Sequence, residues 1–388
     1  MLLFLRILLG LGIFGLLTST VFMGLVFAGV RRFRHDARAQ RRAAGFQPPV
    51  SLLKPLHGAE PGLAAHLESF FTQDYPAYEI LFCARREDDA GLAIGRQVAS
   101  RYPHIPVQFL STGEATYINA KVSSLERMAA AATSDIFIIS DSDVRVSRDY
   151  LREVVAPFAD KNVGGVTCLY RGAAEQGLWA KLEAVGMSVE MTSGVLVANL
   201  LEGMLFMLGP TMAARRESVE RMGGFGILGP YCSDDFLLGN EIAKTATVVL
   251  SGHVIDHVIL NHSFAASMKH QARWMKSTRF SRPKGHFGTA LTFAVPFGLL
   301  AFAAAAAMQK PLLGTGLLLF SLCARSLMAA VLSSMVLQER HILRTCLLYP
   351  LRDLMGFFFW AASYTSSTIL WRGKIYRLTE GGLMERIS

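Results

Sequence analysis

Ser134-Asp135-Ile136-Phe137-Ile138-Ile139-Ser140-Asp141-Ser142-Asp143 decides how this chain is read. Its four consecutive apolar residues, mostly β-branched or aromatic, predict a central strand buried on both faces. The run then stops at two carboxylates one residue apart. Side chains alternate along extended backbone, so Asp141 and Asp143 would face the same side at the strand's C-terminal end. In open α/β sheets that edge is where ligands bind. Two hard oxygen donors there suit Mg²⁺ or Mn²⁺ holding a diphosphate, because Mg²⁺ takes one or two carboxylates and phosphate oxygens. For the motif taken alone, a solvated Asp-Ser-Asp turn is the alternative.

The flanking pattern favours the sheet. On the N-terminal side, residues 50–53 open a first strand. Leu63, Leu67, Phe70 and Phe71 then recur at helical spacing until Asp74-Tyr75-Pro76. Residues 79–83 read as a second strand, which also runs into acids, Glu87-Asp88-Asp89. A helix over about 92–102, a strand near 107–110 and a helix over about 121–132 complete a βαβαβ series. Such alternation means a mostly parallel, doubly wound sheet with helices on both faces. Beyond Asp143 come a helix near 147–158, a strand at 163–169 and a Met-rich helical segment over about 177–199. That segment is read as core packing, with a lipid-acceptor surface as the alternative. Gly203 to Gly209 frame a short apolar strand, and Met222-Gly223-Gly224-Phe225 a turn. Ser233-Asp234-Asp235-Phe236 reads as a helix start with serine as cap and acids in the first turn. Capping explains Asp234 and leaves Asp235 available for a second role.

Composition places this domain beside a membrane. Apolar residues make up 52% and charged residues 18% of the 388, below the ~25% charged residues of typical globular domains, and the deficit lies at the two ends. Residues 1–30 form an apolar run broken by Arg6 and Thr18-Ser19-Thr20, longer than the about 20 residues a bilayer needs. It exceeds the core of a signal peptide and lacks a small-residue cleavage site, so a retained anchor is expected. The basic linker 31–48, with Arg31-Arg32-Phe33-Arg34 and Arg41-Arg42, would stay in the cytosol and keep the domain over 49–269 there. The segment 270–287 alternates Arg and Lys with Trp274, Met275 and Phe280, which suits a membrane interface. A guanidinium there could also neutralise a departing diphosphate. Within 288–371, apolar stretches lie at about 289–308, 312–337 and 347–371. Arg325, Arg352 and Asp353 inside them should face other helices or the α/β domain. Three full spans would strand the basic tail 372–388 outside, against the positive-inside bias. The third, interrupted by Pro350 and the charge pair, is therefore open to a re-entrant or interfacial reading, which leaves two to three C-terminal membrane helices. Net charge is +9, with the basic residues beside the apolar ends, which points to an anionic membrane surface. No basic-aromatic motif for nucleic acid is present. Five scattered cysteines, Cys83, Cys168, Cys232, Cys323 and Cys346, read as reduced packing residues.

These residues, in this order, resemble the ceramide glucosyltransferases of glycosyltransferase family 21, including bacterial relatives that glycosylate hopanoids. The resemblance runs from about Pro48 to Lys284, with a weaker match at Trp371-Arg372-Gly373. Leu53-Lys54-Pro55-Leu56-His57-Gly58 looks like the family's opening strand, Asp89 matches its first acid, and Asn119 and Lys121 match an Asn-x-Lys element. Asp141-Ser142-Asp143 matches the second acidic motif and Asp235 the third. His270-Gln271-Ala272-Arg273-Trp274 stands where the family usually has Gln or Arg, two residues, then Arg-Trp. His270 departs from that pattern and its role stays open, while Arg273 and Trp274 match.

The resemblance implies an α/β fold of the GT-A type, Rossmann-like, with transmembrane helices at both ends. It further implies an inverting hexosyltransferase that moves a sugar, glucose first, from a UDP-sugar to a hydroxyl of a membrane lipid. Asp89, Asn119, Lys121 and Asp141 would then bind the nucleotide sugar, and Asp141 with Asp143 would hold Mg²⁺ or Mn²⁺. Asp235 would be the base, Arg273 would support the leaving diphosphate, and Trp274 would pack beside sugar or acceptor. Ceramide and a hopanoid are both open as acceptor, the second with UDP-N-acetylglucosamine as donor and a bacterial inner membrane as location. A processive polysaccharide synthase is a rival reading, which would need more spans and Gln at position 270. A non-catalytic membrane scaffold is another.

Overall fold

The computed structural model describes residues 1–174, 177–259, 263–371 and 373–387, so Arg372 of the Trp371-Arg372-Gly373 match lies outside the described residues. The chain begins with α1 (Leu2–Arg41), a helix of 40 residues. At 1.5 Å per residue this is about 60 Å, twice the about 30 Å of a bilayer's hydrocarbon core. The basic stretch expected as a linker is therefore helical through Arg41. It docks on the catalytic domain, where Gln40 donates to Leu250 O at 3.0 Å and accepts from Gly252 N at 2.8 Å. Gly252 is required there, since a Cβ would lie 2.4 Å from that of Ala37.

The first half of the sheet follows the expected series: β1 (Val50–Pro55), α2 (Leu63–Phe71), β2 (Tyr78–Ala84), α3 (Ala90–Ala99), β3 (Val107–Ser111), α4 (Ala120–Ala131) and β4 (Ile136–Ser140). These four strands pair parallel in the order β3-β2-β1-β4. All five residues of β4 are buried, as its unbroken apolar run requires.

The second half departs from expectation. After β5 (Val144–Arg145), α5 (Tyr150–Val155) is shorter than read and ends in a 3₁₀ turn, and β6 (Val163–Ala174) runs longer. Between Gly203 and Gly209 only isolated bridges form, at Met204 and Leu208. The strand instead starts beyond Pro210, as β7 (Thr211–Arg215), antiparallel to β4 and β6. β8 (Thr247–Ile259), unread from sequence, pairs parallel with β6 and antiparallel with β5. The eight strands run β3-β2-β1-β4-β7-β6-β8-β5, and four of the seven pairings are parallel. β8 is hard to read because Ser251, Gly252, His253, Asp256 and His257 interrupt its apolar alternation.

The remaining helices are α6 (Leu178–Val185) and α7 (Thr192–Leu201), joined by a π-turn, then α8 (Arg216–Arg221), α9 (Asp234–Ala243), α10 (Phe264–Ser281), α11 (Pro283–Thr289), α12 (Val295–Ala307), α13 (Pro311–Leu332) and α14 (Ile342–Ser363). The chain closes with β9 (Thr368–Trp371), β10 (Lys374–Leu378) and β11 (Met384–Arg386). The interfacial segment expected over 270–287 is thus two helices, broken where Pro283 begins a new one.

Among the described residues three helical stretches are long and apolar enough to cross a membrane: α1, α6 through α7, and α13 with its continuation to Leu337. The residues 283–292 with α12, bent by 46°, make a fourth if the bent pair counts as one span. The α6–α7 stretch is largely buried inside the protein, with Met187 in the core and Met191 exposed, so most of it packs against the rest of the chain. α14 does not pass the same test. Its start lies against the catalytic domain, where Arg171 of β6 donates to Leu337 O at 2.8 Å and Ser188 to Glu339 at 3.0 Å. Its end lies there too, with Arg279 of α10 donating to Ser363 O at 2.6 Å. The third apolar stretch therefore starts and finishes on one side, and α12 with α13 make a single excursion out and back. The tail lies against the α/β domain, with Cys232 N donating to Gly382 O at 3.0 Å.

The charges inside the bundle face one another, as their cost in lipid demands. Arg325 Nε lies 3.2 Å from Asp353 Oδ1, with the two side chains 3% and 4% exposed. Asp353 also accepts from the N–H groups of Ala294 and Val295 at 3.0 and 2.8 Å, at the break before α12. Arg325 donates to Ser19 of α1 and to Thr292 O, and Arg352 pairs with Glu190 at 2.9 Å. Arg325→Met should cost about 3–5 kcal/mol, because it leaves a buried carboxylate without its cation. The check is a thermal melt in detergent; an unchanged Tm would show that the pair does not hold the bundle.

Candidate active site

The C-terminal ends of β1, β2 and β4 lie side by side, and the loops leaving them build the site. From β1, Lys54 is fully buried with its ring-facing ammonium 3.8 Å from the centre of Phe70. It donates to Asp141 O at 2.6 Å and Ser140 Oγ at 3.3 Å, which fixes the end of β4. Burial pulls its pKa down to about 7. Beyond β2, Asp89 caps α3 by accepting from Gly91 N at 2.7 Å. It also accepts from Gly58 N at 3.0 Å, which ties the β1 loop to α3.

β4 stops at Ser140, so Asp141 and Asp143 sit in a turn rather than on extended backbone. They take different partners. Asp141 Oδ1 is 2.7 Å from Lys121 Nζ, whereas Asp143 Oδ2 is 3.1 Å from His257 Nε2, on β8. Lys121 follows Asn119, the cap of α4, and also lies 3.5 Å from Asp234 Oδ2. Asn119 Nδ2 donates to Asp234 Oδ1 and to Tyr231 O, both at 3.2 Å. Asp235 Oδ2 accepts from Gly209 N at 2.8 Å and its Oδ1 from Phe236 N at 2.8 Å. A Cβ on Gly209 would lie 3.2 Å from Asp235 Oδ2 and 3.7 Å from Asp141 Oδ2. Glycine there lets two carboxylates from distant parts of the chain approach one point.

Ser233 occupies the cap position of α9 but makes no capping bond. Its hydroxyl is instead 2.6 Å from that of Ser277 and 3.0 Å from that of Ser281, both on α10. Asp234 does not cap either; it serves Asn119 and Lys121. The expected capping roles are thus replaced by tertiary contacts.

On α10, the Trp274 ring lies 4.3 Å from that of His270, tilted by 51°, and meets His257 edge-on at 6.5 Å. His270 Nδ1 is 2.8 Å from Glu183 Oε1, and Ser267 donates to Glu183 Oε2 at 2.7 Å. At position 270 a histidine thus holds a buried carboxylate. Arg273 is half-buried, and burial lowers its pKa.

The electrostatics show a shortage of positive charge. Burial raises Asp141, with Asp143 adding to it and Lys121 opposing. Burial, then Asp234 beside it, raises Asp235 to about 6. Burial also works against the charge on Asp143, but His257 outweighs it and holds that carboxyl at about 2. For Lys121 burial is outweighed by Asp141 and Asp234, which raise its pKa. Among the described residues Asp143 Oδ1 finds no hydrogen-bond partner, though it is buried. Among the described residues no three His, Cys, Asp or Glu side chains form a ready metal cluster. An orphaned carboxylate oxygen beside excess acid fits a divalent cation whose remaining ligands are phosphate oxygens.

Sequence reasoning passed over three residues of this cluster: Lys54, His257 and Asp234 as a partner of Lys121. Lys54 has a signal, a lone charge in a strand otherwise buried on both faces. His257 has a weaker one, because its strand was itself unread.

A family model for glycosyl transferase family 21 matches residues 16–384. The chain is 25% identical over 231 residues to ceramide glucosyltransferase 1 of Caenorhabditis elegans, covering 59% of this chain and 49% of that protein. It is 23% identical over 346 residues to ceramide glucosyltransferase 3 of the same organism, covering 86% and 74%. The chain thus spans about half the length of the first relative. Among solved structures, mannosyltransferase PcManGT from Pyrobaculum calidifontis in complex with GDP-Man and Mn²⁺ superposes with a TM-score of 0.48 at 19% identity, covering 90% of this chain and 99% of that one. The family match takes in most of α1, the sheet with its acids, the membrane helices and nearly all of the tail, and on that extent the chain belongs to glycosyl transferase family 21.

Proposed function

We propose that the protein is an inverting GT-A glycosyltransferase that moves glucose from UDP-glucose to a hydroxyl of a membrane lipid, at the cytosolic face of a bacterial inner membrane. The observation that carries this reading is the meeting of Asp141, Asp234 and Asp235 around Lys121 and Gly209 at the sheet edge, with Asp143 beside them on His257. Helix α10 lines that site and is tied through Arg279 to Ser363 at the end of α14, which packs on α13. The ceramide glucosyltransferases among its relatives support a sugar donor and a lipid acceptor.

Asp89, Asn119 and Lys121 would bind the nucleotide sugar. Asp141 and Asp143 would hold Mg²⁺ or Mn²⁺, whose chemistry is to neutralise the diphosphate leaving group. Asp235 takes the proton of the lipid hydroxyl as that oxygen attacks the anomeric carbon from the face opposite the diphosphate. The new carbon–oxygen bond forms as the sugar–phosphate bond breaks, and UDP leaves with the electron pair. A carboxyl raised to about 6 is suited to this, because a general base works best with a pKa near the operating pH. Arg273 supports the departing diphosphate, and Trp274 packs beside sugar or acceptor. With α10 against the bundle, the acceptor reaches the base without crossing water.

A thermal-shift titration with UDP and Mn²⁺ tests the donor side. A ligand at a hundred times its Kd stabilises by about 2.7 kcal/mol, so Tm should rise with UDP and the rise should vanish in EDTA. No shift at any UDP concentration would favour a scaffold that merely resembles the enzymes.

A further inference from the structure

The C-terminal tail, read from sequence as a basic extension with a weak match at its start, folds into a small three-stranded sheet in the order β11-β10-β9. It has its own core of Ile369, Tyr376, Leu378 and Met384, against which Cys232 and Phe280 pack. This sheet is joined by backbone to the loop that enters α9. Cys232 N donates to Gly382 O at 3.0 Å, Met384 N donates to Pro230 O at 2.9 Å, and Tyr231 and Leu383 form an antiparallel bridge between them. Gly382 carries a φ of +82°, and a Cβ there would lie 2.8 Å from Ser281 Oγ. Ser281 is the residue that donates to Ser233. Lys276 of α10 donates to Thr368 O at 3.1 Å, which fastens the other end of the sheet.

Locally the loop at 230–233 is held by a single turn bond, Tyr231 N to Leu228 O at 3.0 Å, and by Leu237 N donating to Ser233 O at the start of α9. Its helix lacks a side-chain cap, and its backbone groups are satisfied by Asn119 on one side and by the tail on the other. Asp234 and Asp235 follow at once. Of the groups proposed to bind the donor, Asp89 is held by Gly58 and Gly91 and Lys121 by Asp141 and Asp234, while Asn119 alone meets the 230–233 loop directly, at Tyr231 O.

We propose that the tail sheet is a positioning element of the active site: by extending the 230–233 loop as an added strand, it sets the start of α9 and thereby the place of Asp235. The proposal rests on Asp235 being the base, as read above. It predicts a split effect, on turnover and not on donor binding. Displacing a catalytic group by about 1 Å can cost on the order of 10²-fold.

The test uses the full chain in detergent or membranes, beside a truncation after Ser366, Gly382→Val and Asp235→Asn. Gly382→Val keeps the tail but places a branched side chain at a positive φ and against Ser281. The expected result is a kcat lower by about a hundredfold for the truncation and about tenfold for Gly382→Val, with UDP affinity in Mn²⁺ within about threefold of wild type for both. Retained kcat in the truncation would overturn the proposal, and so would a parallel loss of kcat and UDP affinity, which marks a general folding role. If Asp235→Asn abolishes transfer while both tail variants keep it, the tail proposal falls and the function stands. Absence of transfer by the wild-type chain removes both.

Discussion

Asp235→Asn is expected to lower kcat by about 10²- to 10⁴-fold, the range that general-base catalysis supplies, while UDP affinity in Mn²⁺ stays near that of wild type. The substitution keeps the shape of the side chain, and an amide oxygen still accepts from Gly209 N at the position 2.8 Å away. The bond from Phe236 N to Oδ1 is lost, since an amide NH₂ does not accept, and with it the capacity to take a proton. The same residue gives a pH signature. Burial and Asp234 raise its carboxyl to about 6, and the working form is the carboxylate. The wild-type kcat should therefore be flat above that pH and fall tenfold per unit below it, as the group is protonated. Single-turnover transfer followed across pH separates this from effects on donor binding. A wild-type profile flat through pH 5, or comparable loss of UDP binding in Asp235→Asn, would assign the proton to another group.

Asp143→Asn should be nearly as damaging, by a different route. Asp143 is held ionised at about 2 by His257, and one of its oxygens is buried with no hydrogen-bond partner among the described residues. The amide keeps the volume and removes the charge a cation would find. The expected outcome is a loss in kcat/KM of at least about a hundredfold at fixed Mn²⁺, a few kcal/mol of charge stabilisation. The concentration of Mn²⁺ needed for half-maximal UDP binding should rise in step. His257→Gln should give a smaller loss of the same kind. If Asp143→Asn binds UDP with the wild-type dependence on Mn²⁺, the cation is held elsewhere.

How much of this was legible in the sequence follows from how each strand is buried. β2 and β4 are covered on both faces, so each carries an apolar run that ends in view of the solvent, and the acids beyond those ends mark the site. β7 is built on Thr211, Met212, Ala213 and Ala214, residues too small to announce a strand, and β8 alternates apolar residues with histidine, serine and aspartate. Both depend on partners far away in the chain, including α1, whose Gln40 satisfies two backbone groups of β8. His257 went unread with its strand. The cap at Ser233 failed for a related reason: local pattern offers serine as a cap, but two hydroxyls on α10 compete for it. The membrane helices were legible as apolar lengths, whereas the course of α14 was not, because hydropathy does not say where a helix's ends are anchored. The tail gave only its charge, since a sheet of three short strands draws its core partly from Cys232 and Phe280.

The central claim is that one cleft at the membrane surface joins a nucleotide-bound sugar to a lipid hydroxyl. Membranes containing the protein, supplied with isotopically labelled UDP-glucose and, separately, UDP-N-acetylglucosamine, decide it by mass spectrometry of the extracted lipids. The account predicts a labelled lipid that carries one hexose from UDP-glucose, forms only with a divalent cation, and is missing with Asp235→Asn. Label confined to free sugar, or to a water-soluble polymer, would contradict it.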